Sequence, residues 1–97
     1  MNKCIFLGRL TAPPEVYIDE NNNTPVIDFE LEIEEFRRDS RGDKRRDLTY
    51  LFFQAWDTAA LTIEKWAKKD SLMSIESNAR TDDEGNTYFR VTNFKIL

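Results

Sequence analysis

The sequence predicts an all-β protein, a five-stranded Greek-key barrel with one α-helix between strands 3 and 4, and three observations carry that expectation. In "VIDFELEIEEF", Phe29, Leu31 and Ile33 alternate with Asp28, Glu30, Glu32 and Glu34, the period of two that divides a strand into an apolar and a charged face. A single helical period follows Asp57, where Ala59, Ile63, Trp66 and Ala67 recur at i, i+4, i+7 and i+8. Two further alternating segments come after it, "SLMSIESNAR" and "TYFRVTNFKIL", joined by "DDEGN".

Along the chain, "KCIFLGRL" is a short run of strand formers stopped by Pro13-Pro14, and "EVYIDE" reads as its continuation. "NNNT" with Pro25 is a turn. The acid-and-apolar run is the second strand. The cationic stretch around "SRGD" reads as a loop, and "LTYLFFQAW" as a third strand with contacts on both faces. Asp57 is placed to cap a helix reaching about Lys69, with Trp66 in the core and Lys65, Lys68 and Lys69 at the negative end of the dipole. Gly85 and Asn86 suit the positive φ of the last hairpin turn. This order matches an OB-fold, a Greek-key barrel whose outer face commonly holds single-stranded nucleic acid.

Ninety-seven residues without repeat or linker suit one domain spanning residues 1–97. At 40% apolar and 12% aromatic content the chain is too rich for disorder, and it has no apolar run of membrane-spanning length. "MNKCIFLGRL" lacks the features of an export signal, so a cytoplasmic, nucleoid-associated location is the expectation. The lone Cys4 excludes an internal disulfide and reads as a small buried hydrophobe. With no histidine and no second thiol there is no nitrogen or sulfur ligand set for zinc and no Cys-His or Ser-His pairing. Only carboxylates remain for catalysis, so the expectation is a binding protein without cofactor or metal, not an enzyme. The acids of the second strand read more simply as a solvated face than as a metal or acid-base site, because neighbours two apart diverge by nearly ~7 Å.

The net charge of −4 is unevenly distributed: residues 37–46 hold six Arg/Lys against two Asp, a local balance of about +4, so the rest of the chain sums to about −8. Attraction for a polyanion has to come from that local field.

"MNKCIFLGRLTAPPEV" with Gly8 and Pro14-Glu15-Val16, "DFELEI", Trp56 closing the third strand, and "IEKWAKKDSLMSIESNART" together resemble the N-terminal domain of bacterial single-stranded DNA-binding proteins. The resemblance runs in order over nearly the whole chain. It implies single-strand binding by base stacking and phosphate contacts, and assembly as a tetramer or dimer through an exposed strand 1. Stacking positions fall on Tyr50 and Trp56; a third falls on Phe36 if the pairing slips by one residue relative to "DFELEI", and otherwise on Arg37. Basic positions are kept at Lys3, Arg38, Lys69 and Arg80, whereas others usually basic fall on Tyr17, Phe52 and Thr58. Two features depart from the pattern. The last hairpin is reduced to the acidic "TDDEGNTY", and the 97 residues include neither a linker nor the acidic Pro-Phe tip that recruits replication or repair proteins in the family, the pattern of either a small relative or a trimmed chain.

In physical terms, Tyr50, Trp56, Phe52 and Phe36 flank Arg37, Arg38, Arg41, Lys44, Arg45 and Arg46, which is what a sequence-tolerant single-strand site needs: π-faces for bases and cations for phosphates. The bland alternative places those aromatics in the barrel core or a subunit interface and the cations in a solvated turn. The expected function is non-sequence-specific single-stranded DNA binding in replication, recombination or repair. The runner-up is an OB-fold protein-interaction module with weak nucleic-acid affinity, akin in role to small tail-less primosomal OB dimers.

Overall fold

The computed structural model describes residues 1–97. Its elements are β1 (Cys4–Leu10), β2 (Val16–Asp19), β3 (Thr24–Arg38), β4 (Lys44–Trp56), α1 (Thr58–Trp66), β5 (Leu72–Thr81) and β6 (Thr87–Ile96). Strands run in the order β1-β5-β6-β4-β3, and β3 returns to β1 through Arg9↔Glu32 and Leu10↔Leu31, closing a five-stranded OB-fold barrel. β2 adds to the free part of β3, from Val16↔Ile27 to Asp19↔Thr24. β1 and β2 are thus the two halves of the first expected strand, interrupted where Pro13 and Pro14 have no N–H to give a ladder.

The alternation read from the sequence becomes the barrel wall. Ile27, Phe29 and Leu31 of β3 and Phe53 and Ala55 of β4 point inward and are buried, with Met73 and Ile75 of β5 completing the core. Phe53 sits at its centre, stacked on Phe29 at 5.5 Å and meeting Phe6 nearly edge-on at 5.6 Å between ring centroids. At Gly8, where β1 crosses β3, a Cβ would lie 2.8 Å from the Glu32 carbonyl oxygen and 3.1 Å from Leu31 Cβ. Only a glycine lets the two strands approach closely enough to close the barrel.

The helix is shorter than its sequence period. α1 buries Ala60 and Ile63, and Ala67 follows with extended backbone, its N–H bonded to the Ile63 carbonyl. A Lys68–Ser71 turn, with the Ser71 hydroxyl accepting from the Lys68 N–H, replaces the turn of helix expected up to Lys69. Asp57 makes no side-chain cap; its own N–H is spent on the Pro25 carbonyl at 2.8 Å. Trp66 is not core but 62% exposed. It lies at the edge of the apolar stripe, and the small residues Ala60 and Ala67 let the helix settle on Ile63 without it. Gly85, at φ 86°, is the residue of the last turn that takes positive φ, and Asn86 does not. Cys4 is half-buried.

The cationic stretch also departs from expectation. β3 and β4 stay paired from Val26↔Trp56 to Arg38↔Lys44, so most of the expected loop is a two-stranded arm and the turn is confined to residues 39–43. Asp39 builds that turn: its side chain accepts from the N–H groups of Arg41 and Asp43, and Gly42 takes φ 82°.

Candidate nucleic-acid interface

Residues directly opposite in an antiparallel ladder share a face, so the β3–β4 register sorts every side chain of the arm. One face carries Arg38 and Lys44, Phe36 and Arg46, Glu34 and Leu48, Glu32 and Tyr50, Glu30 and Phe52, Asp28 and Gln54, then Trp56 on the same strand face. Near the barrel this is the outer face, because the alternate residues Phe53 and Ala55 fill the core. Phe36, Tyr50 and Phe52 are each about half exposed, and Trp56 is half-buried. Of the two positions between which the resemblance leaves a choice, Phe36 shares the face of Tyr50 and Arg37 does not.

Arg37 and Arg45 lie opposite each other on the reverse face. Each is also held by an acid of the arm, Arg37 by Asp47 and Arg45 by Asp39, both at 2.8 Å. The Arg45 guanidinium, helped by the Asp43 and Arg41 N–H groups, holds the Asp39 carboxyl below the usual carboxylate range. Arg46 is on the aromatic face but is bonded to Glu34, which raises its pKa further. Arg41 sits in the turn. This leaves Arg38 and Lys44 side by side at the tip, Lys44 stacked over Phe36 at 4.3 Å and Arg38 donating to the Gly42 carbonyl. Like charges facing each other across a ladder repel, and an anion between them relieves the repulsion.

The acid row lies directly beside the aromatics, and each acid is engaged. Tyr50 donates its hydroxyl to Glu32, which raises the Tyr50 pKa above its ordinary value, and the Thr11 hydroxyl donates to Glu30. Asp28 accepts from both the Tyr17 hydroxyl at 2.9 Å and Gln54 Nε2 at 3.1 Å. Partial burial first, and Asp28 second, push the Tyr17 pKa up to about 12. Gln54 Oε1 in turn accepts from the Trp56 indole at 2.8 Å, so a chain of bonds fixes that ring. No group of three or more His, Cys, Asp or Glu side chains converges as a metal ion requires.

The other expected cations are dispersed. Lys69 shares a groove with Tyr50, Glu30, Glu32 and Arg9. Arg80 lies on β5 opposite Tyr88 of β6, two strands round from Phe52. Lys3 is beyond it on the β1–β5 side, 3.8 Å from Glu76. Two cations that sequence reasoning missed belong to the surface. Arg90 covers the Trp56 ring at 5.2 Å, and Arg9 joins the Tyr50 groove while donating to the Asp70 carbonyl at 3.1 Å. No local signal marks either, because Arg90 comes to the face through Gln54↔Arg90 and Arg9 through Arg9↔Glu32, pairings of strands far apart in the chain.

Comparison with known proteins places this architecture. Residues 1–96 match the model of the single-strand binding protein family. Single-stranded DNA-binding protein 1 of Streptococcus pyogenes serotype M6 is 30% identical over 91 residues, covering 91% of this chain and 67% of that protein. The single-stranded DNA-binding protein of Staphylococcus epidermidis is 28% identical over 92 residues, covering 92% and 67%. Among solved structures, the wild-type Thermus aquaticus single-stranded DNA binding protein superposes with a TM-score of 0.84 at 19% identity, covering all of this chain and 50% of that one. The Plasmodium falciparum SSB in its complex with ssDNA gives 0.83 at 20% identity, covering 100% and 95%. At those identities the two structures speak for the fold.

Proposed function

The chain belongs to the single-strand binding protein family, and from that premise we propose that it binds single-stranded DNA without sequence specificity, as one OB-fold domain without cofactor or catalysis. The observation that carries the reading is the outer face of β4: Trp56, Phe52 and Tyr50 line up towards Phe36, with Lys44 and Arg38 at one end, Arg90 at the other, and Arg9 with Lys69 alongside. Tyr50 and Phe52, two apart on the strand, stand about 7 Å from each other, a separation over which successive unstacked bases are able to meet successive rings, while Trp56 and Phe36 lie about twice as far along the face on either side. Stacking of this kind is worth roughly 1–3 kcal/mol per base and ignores base identity, because every base has a π-face. Phosphates reach Arg38 and Lys44 without displacing a carboxylate, whereas at Arg46 they compete with Glu34. The acid row beside the rings repels the backbone, so the strand tracks the β4 side and its affinity per base is modest.

Such binding would serve replication, recombination or repair in the cytoplasm at the nucleoid. No helix is long and apolar enough to cross a membrane. Self-association belongs to the same proposal. β1 pairs with β5 along Cys4–Arg9 but with β3 only at Arg9 and Leu10, so its other edge from Cys4 to Gly8 is unpaired, beside exposed Ile5 and Leu7. An open edge with apolar neighbours is a template for a second copy, giving a dimer or tetramer.

The test is an anisotropy titration of labelled poly-thymidine, about 35 nucleotides long, at low and moderate salt, with duplex of equal length as control. Preferential single-strand binding that weakens with salt supports the reading. Equal affinity for duplex, or none for either at low salt, overturns it.

A further inference from the structure

α1 ends in an indole that the fold does not use. Trp66 is 62% exposed, while Ala60, Ile63 and Ala67 around it are buried. The ring is thus left open to solvent and able to meet a partner, and what gives that exposure meaning is the charge around it. Lys65 Nζ lies 5.0 Å from the ring centroid, and Lys68 and Lys69 follow within three residues. None of the three lysines is in an ion pair, in contrast to Arg37, Arg45 and Arg46 of the arm. Glu64, the nearest acid before them, accepts from the Val16 N–H and so faces β2; at about 100° per residue, Trp66 lies on the opposite flank of α1.

This cationic patch is continuous with the surface already described. Lys69 lines the same groove as Tyr50 and Arg9. Three residues of chain span at most ~10 Å, so Trp66 starts within one or two nucleotide steps of that groove.

We infer that Trp66, with Lys65 and Lys68, forms a second stacking platform that carries a single strand from the Tyr50 groove across the end of α1. The chemistry matches that on β4, with a base on the indole and phosphates on lysines that no carboxylate occupies. The platform lengthens the site without adding sequence preference. It rests on the single-strand reading above, and the experiment separates the two.

Trp56→Phe leaves Trp66 as the sole tryptophan, so its emission reports on the helix end alone. This variant is titrated with poly-thymidine about 35 nucleotides long, while anisotropy of the labelled strand records binding independently. Quenching of Trp66 in step with the anisotropy is the expected result. In the otherwise native chain, Trp66→Ala should weaken binding roughly 5-fold or more, with Trp66→Phe restoring most of it. Lys65→Ala with Lys68→Ala should lower the log-log salt slope by about 1.4. Binding by anisotropy with unmoved Trp66 emission, and variants that bind like the parent, would overturn the platform and leave the β4 site standing. If Trp66→Ala instead changes the sedimentation of the free protein, the indole belongs to a contact between copies and the platform is wrong. No anisotropy change with the parent protein would remove the single-strand reading itself.

Discussion

Tyr50 and Glu32 face each other across the β3–β4 ladder and are joined by a 2.9 Å hydrogen bond from the phenol to the carboxylate. The carboxylate orients the ring for stacking and also places a negative charge where a phosphate would pass. These effects separate in Glu32→Gln, whose amide oxygen still accepts the bond. Removing one charge about 4 Å from a phosphate in a watery setting is worth ~1 kcal/mol, so poly-thymidine should bind roughly 3- to 5-fold tighter. The Tyr50 pKa, raised first by that bond and also by the Glu32 charge, should fall in a spectrophotometric titration as far as the charge is responsible, because the amide keeps the bond and loses the charge. Unchanged affinity would mean that the strand does not pass Glu32.

The two faces of the arm give a second test. Arg38→Ala with Lys44→Ala removes the two cations on the aromatic face that no carboxylate holds. Two lost phosphate contacts should lower the log-log salt slope by about 1.4. Arg37→Ala with Arg45→Ala removes the same charge from the reverse face, where both are already paired, and should shift the slope by less than about 0.5. Equal effects from the two pairs would show that net charge, not the face, governs binding.

Gly8→Ala should destabilise the barrel by about 1–3 kcal/mol, because the new methyl meets the Glu32 backbone carbonyl, which cannot swing away as a side chain does. The urea midpoint should fall while the slope of unfolding free energy against urea stays constant. A midpoint equal to the parent's would mean that β1 and β3 separate at low cost.

The strands were legible because half-buried strands write their faces at a period of two, and Phe29, Leu31 and Ile33 do so without interruption. The arm was not, because Arg37, Arg38, Lys44, Arg45 and Arg46 have neither an apolar period nor strand propensity; their pairing extends the ladder already set by Phe29↔Phe53 and Leu31↔Leu51, with Asp39 closing the turn. Once the ladder is known, the split of the cations between faces follows, which composition alone cannot supply. Trp66 was misread because a residue at the margin of a helical stripe is buried or exposed according to how deeply its small neighbours let the helix settle. Tyr50, Phe52 and Trp56 were found from the third strand itself, whereas Arg9 and Arg90 reach them through pairings distant in the chain.

The unpaired edge of β1 leads to a prediction on assembly. Ile5→Lys with Leu7→Lys puts two cations beside that edge and changes no core side chain, since both residues are exposed. Charges next to an open strand oppose pairing with another copy. Sedimentation should show the parent associated at micromolar concentration and the double variant monomeric with an unchanged circular dichroism spectrum. A monomeric parent would end the proposal of self-association through β1.

Tyr17 ties β2 to the outer face through its bond to Asp28, and its pKa of about 12 lies above the ordinary 10.0. The folded protein therefore holds this proton in the window between those values, where the unfolded chain has released it. With more protons bound in the native state, stability must fall as pH rises from about 10 towards 12, while below 10 this group contributes no slope. Tyr17→Phe removes the titrating proton along with the bond. Its stability should lie below the parent's at pH 9, and the gap should narrow as pH is raised through 10 and beyond. Urea unfolding of both proteins at matched pH isolates that difference, because the two chains differ only at Tyr17. A gap that stays constant would mean that Tyr17 ionises in the folded protein as it does in the unfolded chain, so that its bond to Asp28 does not hold the proton.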